Sequence, residues 1–169
     1  MIPFEESALA RQLTGLHLPR WEELPALDLY MDQLVSYINS AYYPAADPTE
    51  LPLTRSMVNN YVKQKIIPAP TNKRYQRQHL ALLILIYALK KVFSLPECVD
   101  LIRLAVPGGV LHPRDYDQGC DALEWALRRA FGSGEADPSA PPVLVRAAQA
   151  WAEKLYLQKY MEYTRSQDR

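Results

Sequence analysis

Prolines occupy fourteen positions of this chain, and between them the apolar residues recur every three or four places instead of alternating. Proline has no N–H to give a helix and its ring clashes with the turn before it, so each one ends a helix or opens the next. An apolar interval of three to four is the stripe of a helix that buries one face. The interval of two that marks a strand, bounded by hairpin dipeptides, is scarcely present. The chain is therefore expected to be all-α, a series of helical blocks separated by breaks.

The blocks can be placed. Residues 4–16 put Leu9 and Leu13 in step, and Pro19 follows. Residues 26–42 set Leu27, Tyr30, Met31, Leu34, Val35 and Ile38 at helical spacing, with a proline-bounded loop at 44–48. Residues 54–65 form the next helix, with Thr54 as N-cap. Pro68 and Pro70 stop it, and 71–75 is a short polar connection. Residues 76–92 are apolar nearly throughout and read as a helix buried on most sides. Ser94 and Glu97 are spaced as a capping box, opening a helix through Leu104. Residues 116–131 and 143–165 are the last two helices, and 132–142, rich in Gly, Ser, Asp and Pro, reads as a flexible linker.

Several function classes are disfavoured at this level. A length of 169 residues with 49% hydrophobic content suits one compact unit, or a small head with a helical extension. No basic segment, apolar run and cleavage site follow one another at the start, as a signal peptide requires. The longest apolar run, 80–89, is half of the about 20 residues that span a bilayer, so a cytoplasmic protein is expected. Cys98 and Cys120 fall in helical apolar patterns and read as buried thiols. His17, His79 and His112 are scattered, so neither a metal nor a cofactor is expected. No phosphate loop or nucleophile elbow is present, so the chain is not expected to be an enzyme.

Net charge is zero, but its distribution is uneven. Between Leu51 and Pro96 there is no acid, while Arg55, Lys63, Lys65, Lys73, Arg74, Arg77, Lys90 and Lys91 give that stretch a charge of +8. The remaining 11 cations face all 19 acids, so the rest of the chain carries −8. One electropositive region on an otherwise acidic molecule steers phosphates to one place.

Within that region the helix at 54–65 divides cleanly. Met57, Val58, Tyr61 and Val62 fall on one side, and Ser56, Asn59, Asn60 and Lys63 on the other. Asn is a poor helix former, and two in succession lower helix propensity without structural return. The second row carries what reading a major groove needs. An Asn amide pairs with both Hoogsteen-edge groups of adenine, and Lys reaches guanine acceptors or phosphate. Arg55 and Ser56, in the first turn, are placed to meet the DNA backbone.

The run Thr54-x-x-Met57-Val58-Asn59-Asn60-Tyr61-Val62-x-x-Lys65-Ile66-Ile67-Pro68 resembles the recognition helix of the MerR family and its Gly-Leu-Ile-x-Pro exit. Asn72-x-Arg74-Tyr75-x-x-x-His79-Leu80 is similar to a shortened form of that family's wing and the helix after it. Phe93-Ser94-Leu95-x-Glu97-x-Val99 resembles its Gly-Phe-Ser-Leu-x-Glu-Ile segment. More closely, residues 53–63 resemble a bacterial family of MerR-like proteins described as a domain of unknown function. The resemblance implies a winged helix-turn-helix head with a short or vestigial wing and added N- and C-terminal helices. It also implies that 26–42 is the first helix of the motif, that 54–65 enters the major groove, and that Lys73, Arg74, Tyr75 and Arg77 form the wing on phosphate. The chain departs from the MerR pattern in having Asn59 for Arg, Lys65 for Gly, and a longer connection at 43–53.

Three segments are expected: an N-terminal helical extension (1–25), the DNA-binding head (26–106), and a C-terminal helical region (107–169) for dimerisation or for a partner or effector. In the last helix Leu144, Ala148, Trp151, Leu155 and Gln158 share one face. That face is expected to fold back on the head or to pair with a second subunit. Trp125, Trp151, Tyr156, Tyr160 and Tyr163 are expected as core and interface, with a pocket for a small apolar molecule as the alternative. Double-stranded DNA and a second copy of the chain are the expected partners. The competing reading is a non-catalytic helical interaction module whose basic face binds an acidic partner.

Overall fold

A computed structural model describes residues 3–43, 45, 46, 49, 51–106, 108, 110–131 and 139–167. Among these the regular elements are all helical: α1 (Ala8–Thr14), α2 (Met31–Ala41), α3 (Arg55–Lys63), α4 (Arg77–Leu89), α5 (Leu95–Ala105), α6 (Pro113–Phe131) and α7 (Pro142–Gln167). Single 3-10 turns at Phe4–Glu6 and Trp21–Glu23 punctuate the N-terminal arm.

The helix starts follow local chemistry. Ser7 Oγ accepts from Ala10 N at the head of α1 (3.1 Å), and Thr54 Oγ1 accepts from Met57 N at the head of α3 (3.2 Å). At α5, Glu97 reaches back to accept from Ser94 N (2.7 Å), as the capping box predicts. α6 begins at Pro113, three residues before its predicted start at 116. Pro113 has no N–H to leave unpaired, and Asp115 accepts from His112 N (3.0 Å). Most of the predicted linker at 132–142 lies outside the described residues, and α7 opens at Pro142.

The helix expected at 26–42 is shorter than its periodicity implied. It begins at Met31, because Leu29 exchanges both backbone hydrogen bonds with Tyr75 (2.9 and 2.8 Å) and is extended. Leu27, read as part of the buried face, is 82% exposed.

α4 is the centre of the molecule. Nine of its thirteen residues are buried, and it packs against α2, α5, α6 and α7. α6 comes especially near it at Gly119, where a Cβ would stand 2.8 Å from a Leu85 methyl. Tyr42, just beyond α2, is fully buried and donates to the Ile84 carbonyl of α4 (2.5 Å). It stacks on Tyr87 and meets Trp151 edge-on.

The apolar face of α7 is used within the chain. Leu144, Ala148, Trp151 and Leu155 are buried, with α7 lying along α6, α5 and α4. Trp125 is likewise buried, and Phe4 packs on Tyr156, Tyr160 and Tyr163, so the C-terminal aromatics are core. Cys98 and Cys120 are free and buried. Burial pushes their thiols up, to about 11 and about 12.

The N-terminal arm is fastened to α6 by a buried ionic network. Glu124, 7% exposed, accepts from Leu18 N (2.7 Å) and from both terminal nitrogens of Arg20 (2.7 and 2.9 Å). Arg20 also bonds Asp121 and the Leu18 carbonyl, each at 2.7 Å. Trp21 N donates to Asp117, and the Tyr116 hydroxyl donates to the Pro19 carbonyl. These hydrogen bonds to Glu124 hold the Arg20 guanidinium above its already high range, against the opposing effect of burial. One core runs from Phe4 to Leu155, through the arm, α1 to α4, α6 and α7, and a small satellite cluster around Cys98 joins α4, α5 and α7.

Candidate nucleic-acid interface

α3 is held against α2 at both ends of the connection between them. Asn39, on α2, uses both ends of its side-chain amide on Leu53, donating to the carbonyl (3.0 Å) and accepting from the N–H (2.9 Å). An amide side chain replaces a backbone pairing partner there and fixes where α3 begins. At the first turn of each helix, Arg55 is ion-paired with Asp32. Val58 and Tyr61 are buried beneath α3, while Arg55, Ser56, Asn59, Asn60 and Lys63 are exposed along it. Asn60 accepts a hydrogen bond from Gln64 (3.0 Å).

The exit of α3 is unusual in its residue type. Ile66 N bonds the Tyr61 carbonyl (2.9 Å) and Lys65 N bonds the Val62 carbonyl (3.0 Å), the paired bonds of a Schellman cap. That cap needs a left-handed residue, normally glycine, and Lys65 supplies it at φ 58°. Lys65 therefore has the backbone conformation for which the MerR-type sequences carry Gly.

The polar connection after Pro70 is a hairpin reduced to its minimum. Thr71 and Arg74 exchange backbone hydrogen bonds (3.1 and 2.9 Å) across Asn72 and Lys73, which have φ values of 50° and 60°. Two successive left-handed residues make the type I′ turn that suits a two-residue loop. Lys73 is exposed at its tip. Arg74 lies back over the Tyr30 ring (4.8 Å) and donates to the Tyr30 hydroxyl (2.8 Å). Tyr30 caps α2 two residues before Asp32. The hairpin and the first turn of α3 are thus both tied to the N-terminus of α2.

Two of the residues expected in a wing are not brought to that surface. Tyr75 is buried at 3% exposure, because its backbone pairs with Leu29 and its ring meets His79 edge-on. Arg77 is half-buried and turns away, to Glu22 (3.2 Å) and the Pro25 carbonyl (3.4 Å). Tyr30, Asp32 and Asn39, which position the exposed row, were not singled out in the sequence. The excess of cations over acids between 51 and 96 carried a partial signal, since Arg55 and Arg74 each required some partner outside that stretch.

Among the described residues no cluster of His, Cys, Asp or Glu could hold a metal ion, and no helix is long and apolar enough to cross a membrane. Residues 19–110, which span α2 to α5 and the hairpin, match the family described as a domain of unknown function (DUF1836). The chain belongs to that family. No curated protein and no solved structure matches it. The DUF1836 match takes in the exposed α3 row, the hairpin and the arm residues from Pro19 onward, and stops before α6.

Proposed function

We propose that this DUF1836 protein is a sequence-specific regulator that binds double-stranded DNA through a MerR-like winged helix-turn-helix head spanning residues 26–106. α2 and α3 are the two helices of the motif, α3 enters the major groove, and the 71–74 hairpin is a vestigial wing. The observation that carries the reading is the arrangement at the N-terminus of α2. Asp32 holds Arg55 and Tyr30 holds Arg74, so the start of the exposed row and the base of the hairpin are positioned by one helix end. The left-handed Lys65 at the α3 exit supports the MerR-like assignment of this segment.

In this reading Asn59 and Asn60 discriminate bases, Ser56 and Lys63 flank them, and Arg55, Lys73 and Arg74 meet phosphate. Catalysis has no part in it, and the site of action is the cytoplasm. A dimer matching two half-sites is proposed as well. It uses a surface other than the apolar face of α7, which is already covered within one chain.

The deciding experiment is selection of the full chain against random duplex DNA at about 0.15 M salt with excess competitor. An enriched motif is expected. Asn59→Ala or Asn60→Ala should then reduce discrimination by about 1–3 kcal/mol. Lys73→Ala should weaken binding to every sequence and lower the salt slope by about one. A folded protein that enriches nothing refutes the reading and favours the interaction module, whose basic face binds an acidic protein.

A further inference from the structure

A cleft of about 430 Å³ opens between α3, α4 and α7. Its floor is apolar, made by Leu53, Met57, Leu83, Ile86 and the rings of Tyr61 and Tyr87. Its rim is cationic, with Lys90, Lys91 and Lys154, and no acid is among the described residues that line it.

The ammonium groups are held in place. Lys90 Nζ lies 5.5 Å above the Tyr61 ring and 4.0 Å from the Met57 sulfur. Lys91 Nζ lies 5.0 Å above Tyr87. Lys154, from α7, donates to the Lys91 carbonyl. Three like charges are thereby gathered over an apolar floor, where their mutual repulsion is least screened and an anion is most strongly favoured. Tyr61 adds a second mark of a binding site. Its hydroxyl is buried and has no hydrogen-bond partner among the described residues, a condition folded proteins keep rare.

We propose that this cleft binds a small organic acid with an apolar body, its carboxylate among the lysines and its body on the floor. The volume falls in the range of small-molecule pockets, roughly 300–1,000 Å³. A lysine rim without an arginine fork offers point charges instead of the bidentate geometry that favours phosphate esters. The site stands on these contacts independently of what the outer face of α3 binds.

The test is calorimetric titration of the full chain, without DNA, using naphthylacetate, its neutral amide and plain acetate. Naphthylacetate should bind saturably, and the amide and acetate should each bind about tenfold more weakly or less. Lys90→Gln and Lys154→Gln, both exposed and dispensable for packing, should each weaken naphthylacetate by about threefold to tenfold. Arg103→Gln, on the neighbouring groove between α3, α4 and α5, should leave it unchanged. Equal binding of acid and amide overturns the proposal, as does sensitivity to Arg103→Gln in place of the lysine changes. So does the absence of saturable naphthylacetate binding up to about 10 mM, a threshold near the weakest useful affinity.

Discussion

Replacing Glu124 with alanine tests whether the arm and α6 form one packed unit. The carboxylate serves the Leu18 N–H and both terminal nitrogens of Arg20. Leu18 is fully buried, so its N–H loses its partner with no water to replace it, at about 1–3 kcal/mol. Arg20 keeps Asp121 and the Leu18 carbonyl, and its side chain is 23% exposed. Its loss is therefore smaller than that of a fully buried cation. Breaking a buried pair on one side costs about 3–5 kcal/mol, and the retained contacts place Glu124→Ala at the lower end, about 3 kcal/mol. For a chain of this length that lowers the melting temperature by about 6–12 °C. Urea unfolding read by far-UV circular dichroism measures it. A cycle with Glu124→Leu and Arg20→Met should show a double variant more stable than the sum of the single losses predicts, because no charge is then left unpaired. A loss under about 1 kcal/mol, or strict additivity in the cycle, would refute the reasoning.

Three further expectations rest on separate features. Lys65→Gly should raise stability by about 0.5–1 kcal/mol in the same assay, since the left-handed conformation costs an L-residue about 1–2 kcal/mol and the freer unfolded glycine returns part of that; a loss of stability would mean that the Lys65 side chain makes a compensating contact. Cys98 and Cys120, with thiols pushed up to about 11 and about 12, should resist iodoacetamide at pH 8 in the folded protein and react on unfolding, and quick native labelling of either would contradict their burial. Glu23 and Glu97 are both held below the ordinary 4.5, first by the backbone N–H groups of Arg20 and Ser94. Their folded values being depressed, the stability they contribute is fully present above pH 4.5 and fades as pH falls through the lowered values. Helicity followed through an acid titration should hold to pH 4.5 and decline below it, and a wild-type transition unchanged by Glu23→Gln with Glu97→Gln would remove these caps from the account.

Local chemistry was legible in the sequence, and distant pairing was not. Thr54, Ser94 with Glu97, and the prolines mark helix ends through contacts within four residues, and those ends lie where expected or nearly so. The start of α2 was missed because Leu29 answers to Tyr75, a backbone partner with no trace in the periodicity of residues 26–42. The same pairing turns Tyr75 inward, although its place after Arg74 resembled a wing contact. Glu124 and Arg20 are 104 residues apart, and neither stands in a motif. The apolar face of α7 could be read, but two coverings satisfied it equally, and only the packing chooses α6, α5 and α4. The exposed row of α3 was legible because one helix carries it. Tyr30, Asp32 and Asn39, which hold that helix and the hairpin, lie on a different one.

The shared helix α4 sets a limit on how this chain can be divided. The DUF1836 segment ends at residue 110, yet the core on the far side of α4 is completed by α6 and α7. A fragment cut at that boundary would carry bare apolar flanks where Leu85 meets Gly119 and where Tyr42 meets Trp151. The segment that defines the family and the body that holds its shape are thus not the same object. In grafting or domain exchange, the smallest portable piece runs from the arm at Phe4 to the middle of α7, and a replacement for the C-terminal helices must reproduce the surface that α4 offers them.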